Sequence, residues 1–306
     1  GMYATVPPRP FSPGFEVAGT VARVGPGDAP TSPAEGRGPS QRWREGDPVV
    51  ALMRHGGYAH DVVVEATNAF PRPVEWGAAS AAAIPVVFLT AWTCLFGVGR
   101  AETGEKALVL GAGGGVGTAA VQLASMAGLQ VFGTAGTEVK RRFVVQELGA
   151  EACFDSRGNW LQPLRAAVGN RGLDLALDPV GGKATVQCRG LLAPMGRLVF
   201  YGMSEALPSR KRSWASAILA RMKTKAIHPL SLVGKNQGVF GIHLLYLKEK
   251  EELLRPALAE IYQGIEDDSW RPILDRTFPL EEAGEAHRYI HERKNTGKVV
   301  LTTGSG

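Results

Sequence analysis

The stretch Lys106-Ala-Leu-Val-Leu-Gly-Ala-Gly-Gly-Gly-Val-Gly117, followed by Thr118-Ala-Ala-Val-Gln-Leu-Ala-Ser-Met-Ala-Gly128, decides the fold of this chain. The apolar run Ala107 to Leu110 predicts a buried strand, the glycines after it a tight turn, and the small and apolar residues from Thr118 a helix. Such a turn brings backbone N–H groups and a helix N-terminus against a phosphate. Aligned as a dinucleotide fingerprint, Ala112, Gly114 and Gly117 take the three glycine positions, with alanine at the first. Gly114 leaves room for a pyrophosphate, and Gly117 lets helix pack on strand. The ordinary reading of a glycine-rich loop is a flexible turn.

The residues downstream bear on that choice. Leu129-Gln-Val-Phe-Gly-Thr-Ala135 supplies a second strand and completes a βαβ unit of about thirty residues, as the fingerprint requires. An Asp or Glu at the end of that strand would bind the ribose 2′-OH of NAD, whereas a 2′-phosphate calls for hydroxyl and cationic donors. Here the chain reads Gly133-Thr-Ala-Gly-Thr-Glu-Val-Lys-Arg-Arg142, and Thr137, Lys140 and Arg141 favour NADP over NAD. Glu138 is the nearest acid, and it reads equally as a first-turn helix residue favoured by the dipole.

At 306 residues, 44% hydrophobic and 21% charged, the chain is long enough for two domains and has the balance of an ordinary soluble protein. No run is read as long enough to span a membrane and no signal-peptide core stands at the N-terminus, so a cytoplasmic location is expected. Gly1-Met2 reads as a cleavage scar before a start methionine. Cys94, Cys153 and Cys188 are widely spaced, which argues for buried thiols over a disulfide framework or a structural zinc site. The net charge of +5 suits a polyanionic dinucleotide without requiring one.

Along the chain, a proline-rich opening leads to an expected strand at Phe15 to Val24, an exposed loop from Gly25 to Arg44, and strands at Gly46 to Met53 and Gly57 to Val64. Alanine-rich residues from Glu75 to Leu89 predict a helix, broken at Pro85 and continuing through Phe96. Strands and helices then alternate: a strand at Ala152 to Asp155, a helix near Trp160 to Val168, a strand at Leu173 to Asp178, a helix at Lys183 to Leu192 and a strand at Gly196 to Gly202. That alternation predicts a parallel sheet covered on both faces. The basic segment Ser209 to Lys225 reads as a solvated helix or, alternatively, as an anion- or membrane-surface helix. The remainder predicts a strand at Val239 to Leu244, helices at Glu249 to Gly264 and Ala283 to Lys294, and strands at Ile273 to Phe278 and Lys298 to Thr302.

Taken together, Pro13-Gly-Phe-Glu-Val-Ala-Gly19, Gly46-Asp47, Gly57-Tyr-Ala59, Leu89-Thr-Ala91, Gly111 to Gly117, Asp178-Pro-Val-Gly-Gly182, Gly196-Arg-Leu-Val199, Tyr201-Gly202 and Lys294-Asn-Thr-Gly-Lys-Val-Val-Leu301 resemble the medium-chain dehydrogenase/reductase superfamily. Within it the pattern resembles the zinc-free quinone oxidoreductase branch and its VAT-1-like members. The resemblance implies an α/β protein: a Rossmann doubly wound parallel sheet over 89–273, and a GroES-like β-rich domain from 1–88 and 274–306, with the active site in a cleft. In zinc-dependent relatives a Gly-His-Glu motif supplies a metal ligand; here Gly14-Phe15-Glu16 places phenylalanine there, and no cysteine precedes Cys94. The chain also starts late against the family pattern, so the GroES-like domain is expected to be shortened at its N-terminus, by a real loss or by a start assigned too far downstream.

The resemblance implies hydride transfer from NADP(H) to a quinone or an α,β-unsaturated carbonyl, with the protein orienting the cofactor and stabilising a developing enolate oxygen. By position in the pattern, Gly114, Gly115, Val116 and Gly117 hold the pyrophosphate, Thr137 and Lys140 the 2′-phosphate, and Tyr201 lies beside the adenosine half. Ile242 and His243, in a strand facing the nicotinamide, and Asn295 and Lys298 close around the cofactor. Thr90 and His243 are the catalytic candidates. Thr90 reads otherwise as a helix residue bonded to its own backbone, Lys298 as a surface lysine and His243 as a structural histidine. The six histidines form no metal-ligand pattern. The alternative function is a catalytically weak NADPH-binding protein of VAT-1 type acting through lipid or partner contacts, with weak anionic-lipid contact at the basic segment. A homodimer is expected, and nucleic acid is not.

Overall fold

The computed structural model describes residues 8–25, 43–73, 75–202, 227–247 and 251–304. The basic segment 209–225, most of the loop 25–44 and residues 1–7 lie outside the described residues. The chain divides into two compact units, Thr90–Leu244 and Tyr3–Leu89 with Leu245–Gly306.

The first unit is built on a six-stranded sheet. Its strands are β4 (Lys106–Val109), β5 (Gln130–Ala135), β6 (Ala152–Asp155), β7 (Leu173–Asp178), β8 (Leu192–Phe200) and β9 (Gly238–Gly241), in spatial order β6-β5-β4-β7-β8-β9. Every pairing is parallel. The order reverses beside β4, which leaves a crevice beyond the carboxyl ends of β4 and β7. All six residues of β7 are buried, as a central parallel strand covered on both faces requires. Between them run α3 (Gly115–Met126), α4 (Glu138–Gln146), α5 (Leu161–Val168), α6 (Gly182–Leu191) and the short α7 (Pro229–Val233). On one face Trp160, Leu164 and Val168 pack with Leu108, Phe132 and Leu198. Each such side chain contributes about 1.5–3 kcal/mol by leaving water.

Arg197 clamps the amino-terminal edge of this sheet. Its guanidinium donates to both carboxylate oxygens of Glu105, at 2.7 and 2.8 Å, and to the carbonyls of Gly99, Asp174 and Arg100. Burial alone would raise the Glu105 carboxyl, but the Arg197 hydrogen bonds, a backbone N–H and nearby guanidinium charge hold it below the usual value.

The second unit contains an antiparallel sheet, β1 (Glu16–Thr20), β2 (Pro48–Leu52) and β3 (Ala69–Pro71), and a parallel pair, β10 (Leu274–Pro279) and β11 (Lys298–Thr302). Its helices are α1 (Ala78–Ala81), α8 (Glu251–Glu266) and α9 (Ala283–His291), and α2 (Pro85–Trp92) spans the division between units.

Four expectations are corrected. Residues 57–64 form no strand: the backbone N–H groups of Gly56, Gly57 and Tyr58 bond to carbonyls of residues 12–14, and this bends the segment away from a ladder. Residues 245–273, expected in the nucleotide domain, group with the second unit. There Tyr262 on α8 meets Trp76 edge-on at 5.2 Å and Arg255 covers the Phe70 ring at 5.1 Å. Ile242 and His243 lie just past β9 instead of within it. The run Ala78–Gly97 is, by length and composition, long and apolar enough to cross a membrane. It is two-thirds buried within the protein and broken by a turn at 82–84.

Candidate functional site

At the carboxyl end of β4 the glycine turn is closed by backbone contacts. Gly111 has φ +66°, a left-handed conformation that favours glycine. Its N–H donates to Thr134 Oγ1 at 3.2 Å, and the Ala112 N–H donates to the Thr134 carbonyl at 2.9 Å, so the turn is pinned to β5. A Cβ on Gly117 would collide with the Gly111 carbonyl oxygen and stand 2.8 Å from Ala112 Cα. Glycine is therefore required where α3 leans on β4. A Cβ on Gly114 would meet only the Gly111 carbonyl, at 3.3 Å.

Gly114 is the N-cap of α3, and no side chain caps that end. The first-turn N–H groups at Gly115, Val116 and Gly117 thus meet no capping side chain, an arrangement that favours an anion.

The end of β5 carries the second half of the site. Thr137 caps α4 by accepting the Lys140 N–H at 3.4 Å, and its own hydroxyl proton remains able to donate. A Cβ on Gly113 would touch the Lys140 stem at 3.3 Å, which places that side chain along the glycine turn. Glu138, the nearest acid, is paired with Arg142 one helical turn on. Arg141 stands 3.5 Å from Asp155 at the end of β6.

Sequence reasoning missed two residues of this region. Thr134 supports Gly111 from the neighbouring strand, which only strand register reveals. Arg157 lies over Gly136, with Nε 3.1 Å from where a Cβ would stand; it follows β6, at no spacing a motif would mark.

On the other side of β4, Asp178 is fully buried. It accepts the N–H groups of Val180 and Gly181 at 2.7 and 3.0 Å and the Thr185 hydroxyl at 2.6 Å, which fixes the turn after β7. Tyr201 follows β8 and donates its backbone N–H to the Asp178 carbonyl. Burial, then the proximity of Cys94 and Asp178, pushes its phenol well above the usual value, so it stays protonated. In the sheet β8 and β5 lie on opposite sides of β4, so Tyr201 and Thr137 belong to opposite wings. Ile242 continues the ladder by donating its N–H to the Phe200 carbonyl at 2.8 Å, and His243 beside it is exposed. Thr90, 8% exposed, lies within α2.

Asn295 and Lys298 belong to the second unit and have structural work there. Asn295 Nδ2 donates to the Gly297 carbonyl at 2.7 Å. Lys298 Nζ pairs with Glu16, whose other carboxylate oxygen accepts the Val86 N–H at 2.7 Å in the first turn of α2. The same unit joins Tyr58 and His287 by a 3.2 Å hydrogen bond.

Residue 15 is phenylalanine and offers a metal no donor atom, and burial pushes the Cys94 and Cys153 thiols up to about 12. Among the described residues no three His, Cys, Asp or Glu side chains converge.

A zinc-binding dehydrogenase family profile matches residues 148–301. The chain is 34% identical to the synaptic vesicle membrane protein VAT-1 homolog of Danio rerio over 99% of its own length, and spans 60% of that protein. It is 29% identical to the quinone oxidoreductase of Rattus norvegicus over 98% of this chain and 82% of that one. Among solved structures it superposes with a TM-score of 0.80 on a mycobacterial protein in complex with NADPH, at 25% identity, covering 95% of this chain and 82% of the other. With the six-stranded parallel sheet and the antiparallel sheet, these matches show that the chain belongs to the zinc-binding dehydrogenase family, within the medium-chain dehydrogenase/reductase superfamily.

Proposed function

We propose that this protein is a zinc-independent oxidoreductase that binds NADPH and delivers its hydride to a quinone or an α,β-unsaturated carbonyl. The observation that carries the reading is the uncapped α3 terminus behind a turn where glycine is sterically required, joined to a β5 end bearing Thr137 and Lys140, with Glu138 paired to Arg142. The NADPH complex of the mycobacterial relative and the quinone oxidoreductase among the sequence relatives support it.

When bound, the reduced nicotinamide supplies a hydride to the acceptor. In this reading the N–H groups of Gly115, Val116 and Gly117 hold the pyrophosphate, with Gly114 giving it room, and Thr137 and Lys140 hold the 2′-phosphate. Ile242 and Tyr201, on the β8–β9 wing, shape the nicotinamide side, while Thr90 and His243 donate hydrogen bonds to the carboxamide or to the acceptor oxygen. Residue 15 is phenylalanine, and no step passes through a metal. The proposal includes a homodimer in the cytoplasm, checked by sedimentation and cell fractionation.

The test is NADPH consumption, followed by absorbance, with 1,2-naphthoquinone and with a 2-alkenal. Turnover with either supports the reductase. Measurable NADPH binding without turnover on either acceptor overturns it and leaves a cofactor-binding protein of VAT-1 type acting through a lipid or protein partner.

A further inference from the structure

The NADPH reading assigns Thr137, the cap of α4, and Lys140, in its first turn, to the 2′-phosphate. The structure brings a third group to the same place from another strand. Gly136 is the residue between the end of β5 and the α4 cap. The space its missing side chain leaves is taken by the Arg157 guanidinium, with Nε 3.1 Å and Cζ and an Nη each 3.5 Å from the position a Cβ would hold. Among the described residues that guanidinium has no ion-pair or hydrogen-bond partner; the one bond of Arg157 is its backbone N–H, donated to Asp155 Oδ1 at 3.0 Å. The neighbouring carboxylate, Asp155, is instead within 3.5 Å of Arg141.

We infer that Arg157 is a specificity-determining residue for the dinucleotide: its guanidinium over Gly136 receives the 2′-phosphate from the side opposite Lys140. The inference rests on the proposed NADPH site. A planar guanidinium with several donors matches a phosphate face, which a lone ammonium does not. A Cβ at Gly136 would stand 3.1 Å from Nε, so a side chain there would oblige the guanidinium to shift by a few tenths of an ångström. Asp155 opposes a phosphate by charge, and its pairing with Arg141 together with the Arg157 backbone bond offsets that repulsion.

The test measures binding, by NADPH fluorescence and by calorimetry for NADPH and NADH, on the wild-type chain and on Arg157→Ala, Arg157→Lys and Lys140→Ala. Arg157 is exposed, so the variants should melt like the wild type. For Arg157→Ala the NADPH Kd should rise about tenfold or more while the NADH Kd stays within about twofold. Arg157→Lys should recover part of the loss. An unchanged NADPH Kd in Arg157→Ala, with Lys140→Ala weakened, overturns the inference and leaves the NADPH site standing. Equal losses for both dinucleotides also overturn it, by showing that Arg157 acts on the part the two share. Wild-type protein that binds NADH as tightly as NADPH, or binds neither, overturns the NADPH reading itself and the inference with it.

Discussion

The turn from Gly111 to Gly117 and the loop from Asn295 to Lys298 both carry a glycine signature, and they are held in opposite ways. The first is closed by its own backbone and by the strand next to it: a positive φ at Gly111, the collision a Cβ at Gly117 would make, two N–H groups on Thr134. The second also needs a glycine, because a Cβ on Gly297 would collide with the Ile273 carbonyl. Asn295 bonds within the loop, to the Gly297 carbonyl, but two other groups answer to partners far along the chain: Asp275 for the Thr296 N–H and Glu16 for Lys298. Where backbone sterics decide, a few residues announce their geometry. Where a carboxylate 282 positions away decides, they do not.

Gly117→Ala should show the largest effect, destabilising by about 3 kcal/mol, because helix and strand must part to admit the methyl group; urea unfolding measures it. A loss under about 1 kcal/mol would mean that the turn is more compliant than its contacts say. Lys298→Met should cost about 2 kcal/mol by leaving the Glu16 carboxylate, 9% exposed, without its cation. Adding Glu16→Gln should recover much of that, in a double-mutant cycle read by the same melts. If Lys298→Met is neutral in stability yet abolishes NADPH binding, the loop serves the cofactor and the contrast collapses.

Gly114→Ala sharpens the first half of the comparison. Its Cβ meets only one carbonyl, at 3.3 Å, so stability should change by less than about 1 kcal/mol. NADPH affinity should nevertheless fall at least tenfold, because the methyl group occupies the space assigned to the pyrophosphate. Calorimetry on a variant shown to melt normally separates the two quantities.

The smallest effect is a pH dependence in the second unit. Burial, and then the charge of His291, holds the His287 imidazole below its usual value. The folded state therefore prefers neutral His287. Its contribution to stability is complete above about pH 6.5 and is lost as pH falls through the depressed folded value. A proton NMR titration should place its midpoint below 6.5, and His291→Ala should move that midpoint upward. A midpoint at or above 6.5 would show that the contact with Tyr58, 3.2 Å away, favours the imidazolium after all.

Much of the fold could be read in advance. The limits of β6, β7 and β11 match the apolar runs at Ala152, Leu173 and Lys298, and α6 starts within a residue of expectation. Apolar runs between turn residues survive into tertiary structure because burial rewards the same residues that propose the strand. The failures share a cause as well. Gly57 to Val64 follows a glycine turn and ends in three valines, as a strand could, but its first N–H groups find carbonyls at residues 12–14. Nothing near Tyr201 in the sequence tells that β8, which it follows, lies across β4 from β5. Nothing near Lys298 in the sequence tells that its ammonium meets Glu16.

By itself, the sequence determined the βαβ unit, the glycine turn and the absence of an acid at the end of β5, because each depends on residues within a few positions of one another and on what a backbone without a Cβ can do. Only the tertiary structure decided which wing of the sheet Tyr201 occupies, which lysine spends its charge on a carboxylate, and that Arg157 comes to lie on Gly136. Those are matters of strand order and of side chains meeting across long stretches of chain, and no local pattern encodes them.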